Sequence, residues 1–241
     1  MNGHGISRTV APAASPAAPR TRRLRYLIIM LALVLATLWA AWHPLLVAMG
    51  ELIVAEDALE PVDAIVFSTA AARGDALEAA QLYHDGISRR LVYAAWAYDP
   101  LDDELHRLGV PYLDVTALAR SILEHAGAPA AAITVLPGPV AGTEDEVATT
   151  VDFVRAEGIR SVLFIAPRTH SARVRWLLRR RLPATTRLLV RSARLDRFTA
   201  DGWWRSRDQS RDVMAEYLRW VNSVLLGDAW RPAAPARVVG E

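Results

Sequence analysis

The feature that most constrains this chain is a repeated unit in its last two thirds. A short apolar run is followed by an amphipathic stretch, and that stretch by a glycine. Val62 to Ser68, Arg90 to Ala95, Ala132 to Leu136 and Thr186 to Ser192 read as strands, and Ser161 to Ala166 as a buried parallel strand, because its apolar run shows no polar alternation. Helical patterns lie between them: Asp75 to His84 before Gly86, Asp99 to Leu108 before Gly109, Val115 to His125 before Gly127, and Thr143 to Glu157 before Gly158. Helices from His170 to Leu182 and from Arg207 to Leu226 complete the pattern, and Pro137-Gly138-Pro139 predicts a loop. Strands alternating with helices predict an α/β fold: a Rossmann-like three-layer domain with a mostly parallel sheet.

A different constraint governs the N-terminal part. Arg20, Arg22, Arg23 and Arg25 precede Tyr26 to Trp42, which carries no charge, and apolar residues resume after His43-Pro44 up to Met49. About 20 apolar residues span a bilayer, so one N-terminal transmembrane helix is expected over 26–49, with Trp39 and Trp42 near its outer boundary. The arginines lie before the segment, and Glu51, Glu56 and Asp57 lie after it. The positive-inside rule then puts the N-terminus in the cytoplasm and the domain outside. A cleaved signal peptide is the rival reading, but the apolar core is long for one and no small-x-small site precedes a polar stretch. The expected organisation is a disordered basic cytoplasmic tail (1–25), the transmembrane helix (26–49), a linker (50–61), the α/β domain (62–227) and a disordered tail (228–241).

Composition narrows the chemistry. The 241 residues contain no cysteine, which excludes disulfides and cysteine-based zinc sites. Lysine is absent, so every basic side chain is an arginine, with a net formal charge of only +2. Acids dominate from Glu51 to Glu157 and arginines from Arg160 to Arg219. A basic half attracts phosphate or anionic lipid, or is simply a solvated surface. Nucleic acid is not expected as a partner, because aromatics are not interleaved with the arginines as stacking platforms. There is no metal-binding signature, no P-loop, no complete dinucleotide glycine fingerprint and no Gly-x-Ser-x-Gly nucleophile elbow.

In a doubly wound sheet the ligand crevice is lined by strand ends and by the helix starts that follow them. Two polar clusters occupy such positions: Gly142-Thr143-Glu144-Asp145-Glu146, and Thr169-His170-Ser171-Ala172-Arg173. Thr143 and Glu146 have the spacing of a capping box, which gives both a structural role. Glu144 is not needed by the cap and is the candidate general base; its alternative role is compensation of the helix dipole. His170 in a first helical turn is disfavoured as imidazolium, so it can accept or shuttle a proton. Arg173 shares its helix face, and Arg168 precedes the helix; with Arg73 after the first strand they would clamp a phosphate. Ser68 and Thr143 would add hydroxyls. Asp63 reads as structural, and Trp203 and Trp204 as packing residues.

Asp63-Ala64-Ile65-Val66-Phe67, Arg73, Thr143-Glu144-Asp145-Glu146 and His170-Ser171-Ala172-Arg173, in that order, resemble the motifs of the YdcF/SanA/ElyC-like family of bacterial proteins. The resemblance covers Asp63 to about Trp220. Relatives usually carry glycines where this chain has Ser68-Thr69-Ala70-Ala71-Ala72 and Ala94-Ala95-Trp96. The resemblance implies a single-pass protein of the inner membrane, with its domain in the periplasm, acting in cell-envelope integrity or peptidoglycan assembly. It makes Glu144 and His170 the catalytic candidates and Arg73, Ser68, Thr143, Arg168 and Arg173 the ligand-binding ones. The expected ligand is phosphorylated or lipid-linked. One branch of the family is associated with S-adenosylmethionine, which a domain outside the membrane would rarely meet, so the cofactor stays open. The alternative is a non-catalytic accessory protein with a degenerate pocket, docked to an envelope protein partner.

Overall fold

A computed structural model describes residues 20–97 and 99–225. The expected tails lie outside the described residues, except that 20–25 are helical and already belong to the first helix. The chain divides into two units, Met1–Leu45 and Leu46–Glu241.

Helix α1 runs over Arg20–Leu52 and continues through Pro44. Its stretch Arg23–Leu52 is long and apolar enough to cross a membrane, with mean hydropathy 2.1 in its most apolar window. Leu24 to Leu38 are largely exposed, as a lipid-facing surface requires and a soluble core helix does not.

The second unit is a five-stranded sheet of β1 (Ala64–Phe67), β2 (Leu91–Trp96), β3 (Ile133–Val140), β4 (Ser161–Ile165) and β5 (Arg187–Arg191). Every pairing is parallel, in the order β3-β2-β1-β4-β5. Parallel neighbours need crossovers, which α2 (Ala72–His84), α3 (Pro100–Arg107), α4 (Val115–His125), α5 (Thr143–Ala156) and α6 (Arg168–Arg181) supply. Helix α7 (Arg207–Leu225) follows β5.

Strand side chains alternate between the two faces. Ala64, Val66, Val162 and Phe164 pack under Val147, Val151 and Val154 of α5 and Val174, Leu177 and Leu178 of α6. Ile65, Phe67, Leu163 and Ile165 pack under α2 and α4, where Ala76, Ala79, Ala80 and Ala119 let the helices come close. Asp63 ties the base of the sheet together: its carboxylate accepts from the backbone N–H groups of Arg160 and Ser161 at 2.9 and 2.8 Å.

Three expectations change. The strand expected to stop at Leu136 continues through Pro137-Gly138-Pro139 to Val140, with a register shift opposite Ala94 to Trp96. Proline lacks the N–H a central strand must donate, but β3 is an edge strand, where that loss is tolerated. Gly138 takes φ +87°, which opens the bulge. Residues 50–61, expected as a linker, are packed: Ile53 and Ala55 are buried, and Asp57 bonds β5 through its backbone N–H to Val190 O and its carboxylate from Val190 N, both at 2.9 Å. The capping box over Thr143 to Glu146 is not formed. The cap is Gly142, without a side-chain bond, and Asp145 instead reaches back to the N–H of Ala141 at 3.3 Å.

Candidate functional site

The strand order reverses between β1 and β4, whose last residues Phe67 and Ile165 are partners in register. This switch point is where an open α/β sheet receives ligand. A cleft of about 520 Å³ opens beside it, past the carboxyl ends of β2, β3 and β4. Ala141 to Glu146 at the start of α5 form one wall, and Pro167, Thr169, His170 and Arg173 of α6 another. Trp96 from the end of β2 and Asp212, Arg219, Asn222 and Ser223 of α7 complete the lining.

Arg173 is the centre of the site. It is 1% exposed. Its Nε donates to Glu216 Oε1 at 2.6 Å and its Nη2 to Glu216 Oε2 at 3.4 Å. Nη1 donates to Glu144 Oε1 at 3.2 Å, and Nη2 also to Thr143 Oγ1 at 3.1 Å. Ser223 donates to the same Glu144 oxygen at 2.6 Å. The starts of α5 and α6 and the middle of α7 are therefore joined through one guanidinium. A buried pair of this kind tolerates removal of neither partner, because each would leave the other charge alone in a low dielectric. Four bonds occupy a group with five N–H donors, so at most one is left for a ligand.

His170 stands beside this network, its Nδ1 3.3 Å from Glu216 Oε2 but not aligned for a hydrogen bond. Burial, then the charges of Arg173 and Arg219, push its pKa down to about 3. The imidazole is neutral at physiological pH and resists protonation, so it can meet a ligand as a hydrogen-bond partner. Burial also raises Glu216 above the usual carboxylate range, against the opposing pull of Arg173.

Glu146 is the second buried acid of the cleft. Its carboxylate crosses to the end of β1, accepting from Ser68 Oγ at 2.9 Å and from Thr69 N–H at 3.1 Å. Burial pushes its pKa up to about 7, more than these donors and Arg173 pull it down. It is poised to give or take a proton near neutrality. Asp75 is buried close by; desolvation, with Glu146 the first of three neighbouring carboxylates, keeps its pKa well above the usual value.

The structure thus brings together Thr143, Glu144, His170 and Arg173 of the candidates, and it separates the others. Arg73 is exposed and does not line the cleft. Arg168 places its Nε 3.5 Å from Glu56 and donates from Nη1 to Phe198 O at 3.3 Å, away from the lining. Ser68 is 1% exposed and committed to Glu146, so it holds an acid rather than a ligand. The three-arginine clamp is not assembled; Arg219 and Arg173 are the lining arginines. Sequence reasoning missed Glu216, Arg219 and Trp96. Glu216 had a signal: it shares the inward stripe of α7 with Val213 and Ser223, an acid where apolar residues are expected.

Among the described residues no group of three or more His, Asp or Glu could hold a metal ion. Comparisons with protein-family models, with curated proteins and with solved structures yield no match to this chain. Fold and site together define a Rossmann-like α/β domain with a cleft at the carboxyl ends of its strands, on a chain whose described residues include one helix long and apolar enough to cross a membrane.

Proposed function

We propose that this is a single-pass, YdcF/SanA-like protein of the bacterial inner membrane that acts in envelope biogenesis or integrity. Its N-terminus lies in the cytoplasm and its domain outside, and the cleft binds or processes a phosphorylated ligand, free or lipid-linked. The observation that carries the reading is convergence: Glu144, His170 and Arg173, from two helix starts, line one cleft, with Glu144 bonded to Arg173 and His170 beside their network. The starts of α5 and α6 both reach that cleft, and helix N-termini favour anions. Arg219, 56% exposed at the rim with its Nη1 3.6 Å from Glu216 Oε2, is the lining cation most open to a phosphate. The carboxyl of Glu146, its pKa pushed up to about 7, can give or take a proton at the cleft, and the neutral imidazole of His170 offers a hydrogen-bond partner.

The full chain in detergent micelles tests this by thermal melting against inorganic phosphate, pyrophosphate, a nucleotide sugar and a short polyprenyl phosphate. A ligand at a hundredfold excess over its Kd stabilises by about 2.7 kcal/mol, which raises Tm by about 5–10 °C in a domain of this size. The rise is lost in Arg219→Ala. A second reading, a non-catalytic accessory domain, draws on Arg73 and Arg168 standing outside the cleft. A folded chain whose melting no phosphorylated ligand moves would favour it.

A further inference from the structure

Helix α7 has a face that nothing in the domain covers. Met214, Leu218, Val221 and Leu225 are 46%, 69%, 51% and 74% exposed. Their spacing of four, three and four residues puts them on one stripe of the helix. Beside the stripe, Tyr217, Trp220, Val221, Val224 and Leu225 form an apolar groove of about 400 Å³ with Leu52. Leu52 is 66% exposed and is the last residue of α1. A contiguous exposed apolar surface of this kind marks an interaction site.

We infer that this stripe and groove rest in the interfacial layer of a lipid bilayer. Three observations choose lipid over a protein partner. The groove is built in part by the end of the helix that is long enough to cross a membrane, and only ten residues separate Leu52 from Trp42. Whatever direction the chain takes, that tether holds the groove within about 36 Å of the bilayer. Trp220, an aromatic ring with a polar end, lines the groove, and such residues favour the headgroup level. At 100° per residue, Arg207 and Arg211 continue the stripe toward the start of α7, where their stems can lie on apolar surface; the Arg211 guanidinium, 71% exposed beside Asp208 and Asp212, and that of Arg207 are placed for the headgroup layer. Asp212, Arg219 and Ser223 line the cleft from about 100–140° round the helix from Leu218, and Asn222 lies between stripe and cleft, which sets the cleft mouth close to the bilayer surface. The inference does not depend on which ligand the cleft takes.

The chain has no cysteine, so single-cysteine variants of the full chain label uniquely. Leu218→Cys and Val221→Cys, with Arg107→Cys on α3 as an exposed control, are spin-labelled and reconstituted into vesicles of phosphatidylethanolamine and phosphatidylglycerol. The label at Leu218 and Val221 is expected to meet oxygen more often than a water-soluble nickel chelate, and the order to reverse at Arg107. All three labels behaving like the control would overturn the inference. So would spectral broadening at Leu218 that disappears on dilution with unlabelled protein, which would make the stripe a contact between copies.

Discussion

Two side chains in the cleft titrate far from their usual pH, in opposite senses. His170 falls from 6.5 to about 3, and Glu146 rises from 4.5 to about 7. Below 6.5 the unfolded chain binds a proton at His170 that the native state refuses, so this residue makes stability fall as pH drops toward 3. Above 4.5 the unfolded chain releases a proton at Glu146 that the native state keeps, so this residue makes stability fall as pH rises toward 7. Between 4.5 and 6.5 the two effects oppose each other, and single variants unmask them. His170→Gln is expected to lose stability as pH rises across that window, and Glu146→Gln as pH drops. Melting temperatures over a pH series check this; variants that keep the parent profile would show that neither group is held as described. Glu146 also shows where residue-level reading stops. Its spacing from Thr143 promised a local cap, whereas its partners are Ser68 and Thr69, 78 and 77 positions away. No local pattern announces such a partner.

At the scale of elements, β1, β2 and β4 were legible because strands buried on both faces are uniformly apolar, the edge strand β5 from its Leu188-Leu189-Val190 centre, and the helices α4, α5 and α7 from their glycine or polar stops. Strand β3 was half legible: the Pro-Gly-Pro rule holds for central strands, and the strand's place in the sheet is not written locally. The end of α1 was read as membrane span and linker, yet it is also part of the α/β unit. Trp203 Nε1 donates to Leu46 O, and Tyr217 Oη to Met49 O, both at 2.8 Å. Gly50 marks the closest approach there, since an added Cβ would sit 2.8 Å from both Cα and O of Ala200. Backbone cannot yield as a side chain would, so Gly50→Ala is expected to cost about 1–3 kcal/mol through overpacking. Gly74 in α2 is the contrast: its Cβ would meet only Ala193 Cβ, at 3.8 Å. Gly74→Ala is expected to stabilise by about 0.5–1 kcal/mol through helix propensity. Paired melting curves should shift in opposite directions; two shifts of the same sign would contradict the packing described for α1.

Across the whole molecule, the site belongs to no single segment. The turn after β1 supplies the donors that hold Glu146, α5 brings Glu144, α6 brings His170 and Arg173, and α7 brings Glu216 and Arg219. The sequence named the α5 and α6 contributions because helix starts at strand ends are recognisable. The α7 contribution came from a distance of 43 residues, through an acid that fits no motif. The central claim is that this assembly keeps a neutral imidazole in a ligand-accepting cleft. Nitrogen NMR of the full chain labelled at its six histidines, with His170 assigned by comparison with His170→Gln, tests it most directly. The account predicts that the His170 ring stays neutral at pH 5, since its pKa is pushed down to about 3, and that its signal moves when a phosphorylated ligand is added. A ring that titrates near the ordinary 6.5 and ignores every such ligand would contradict it.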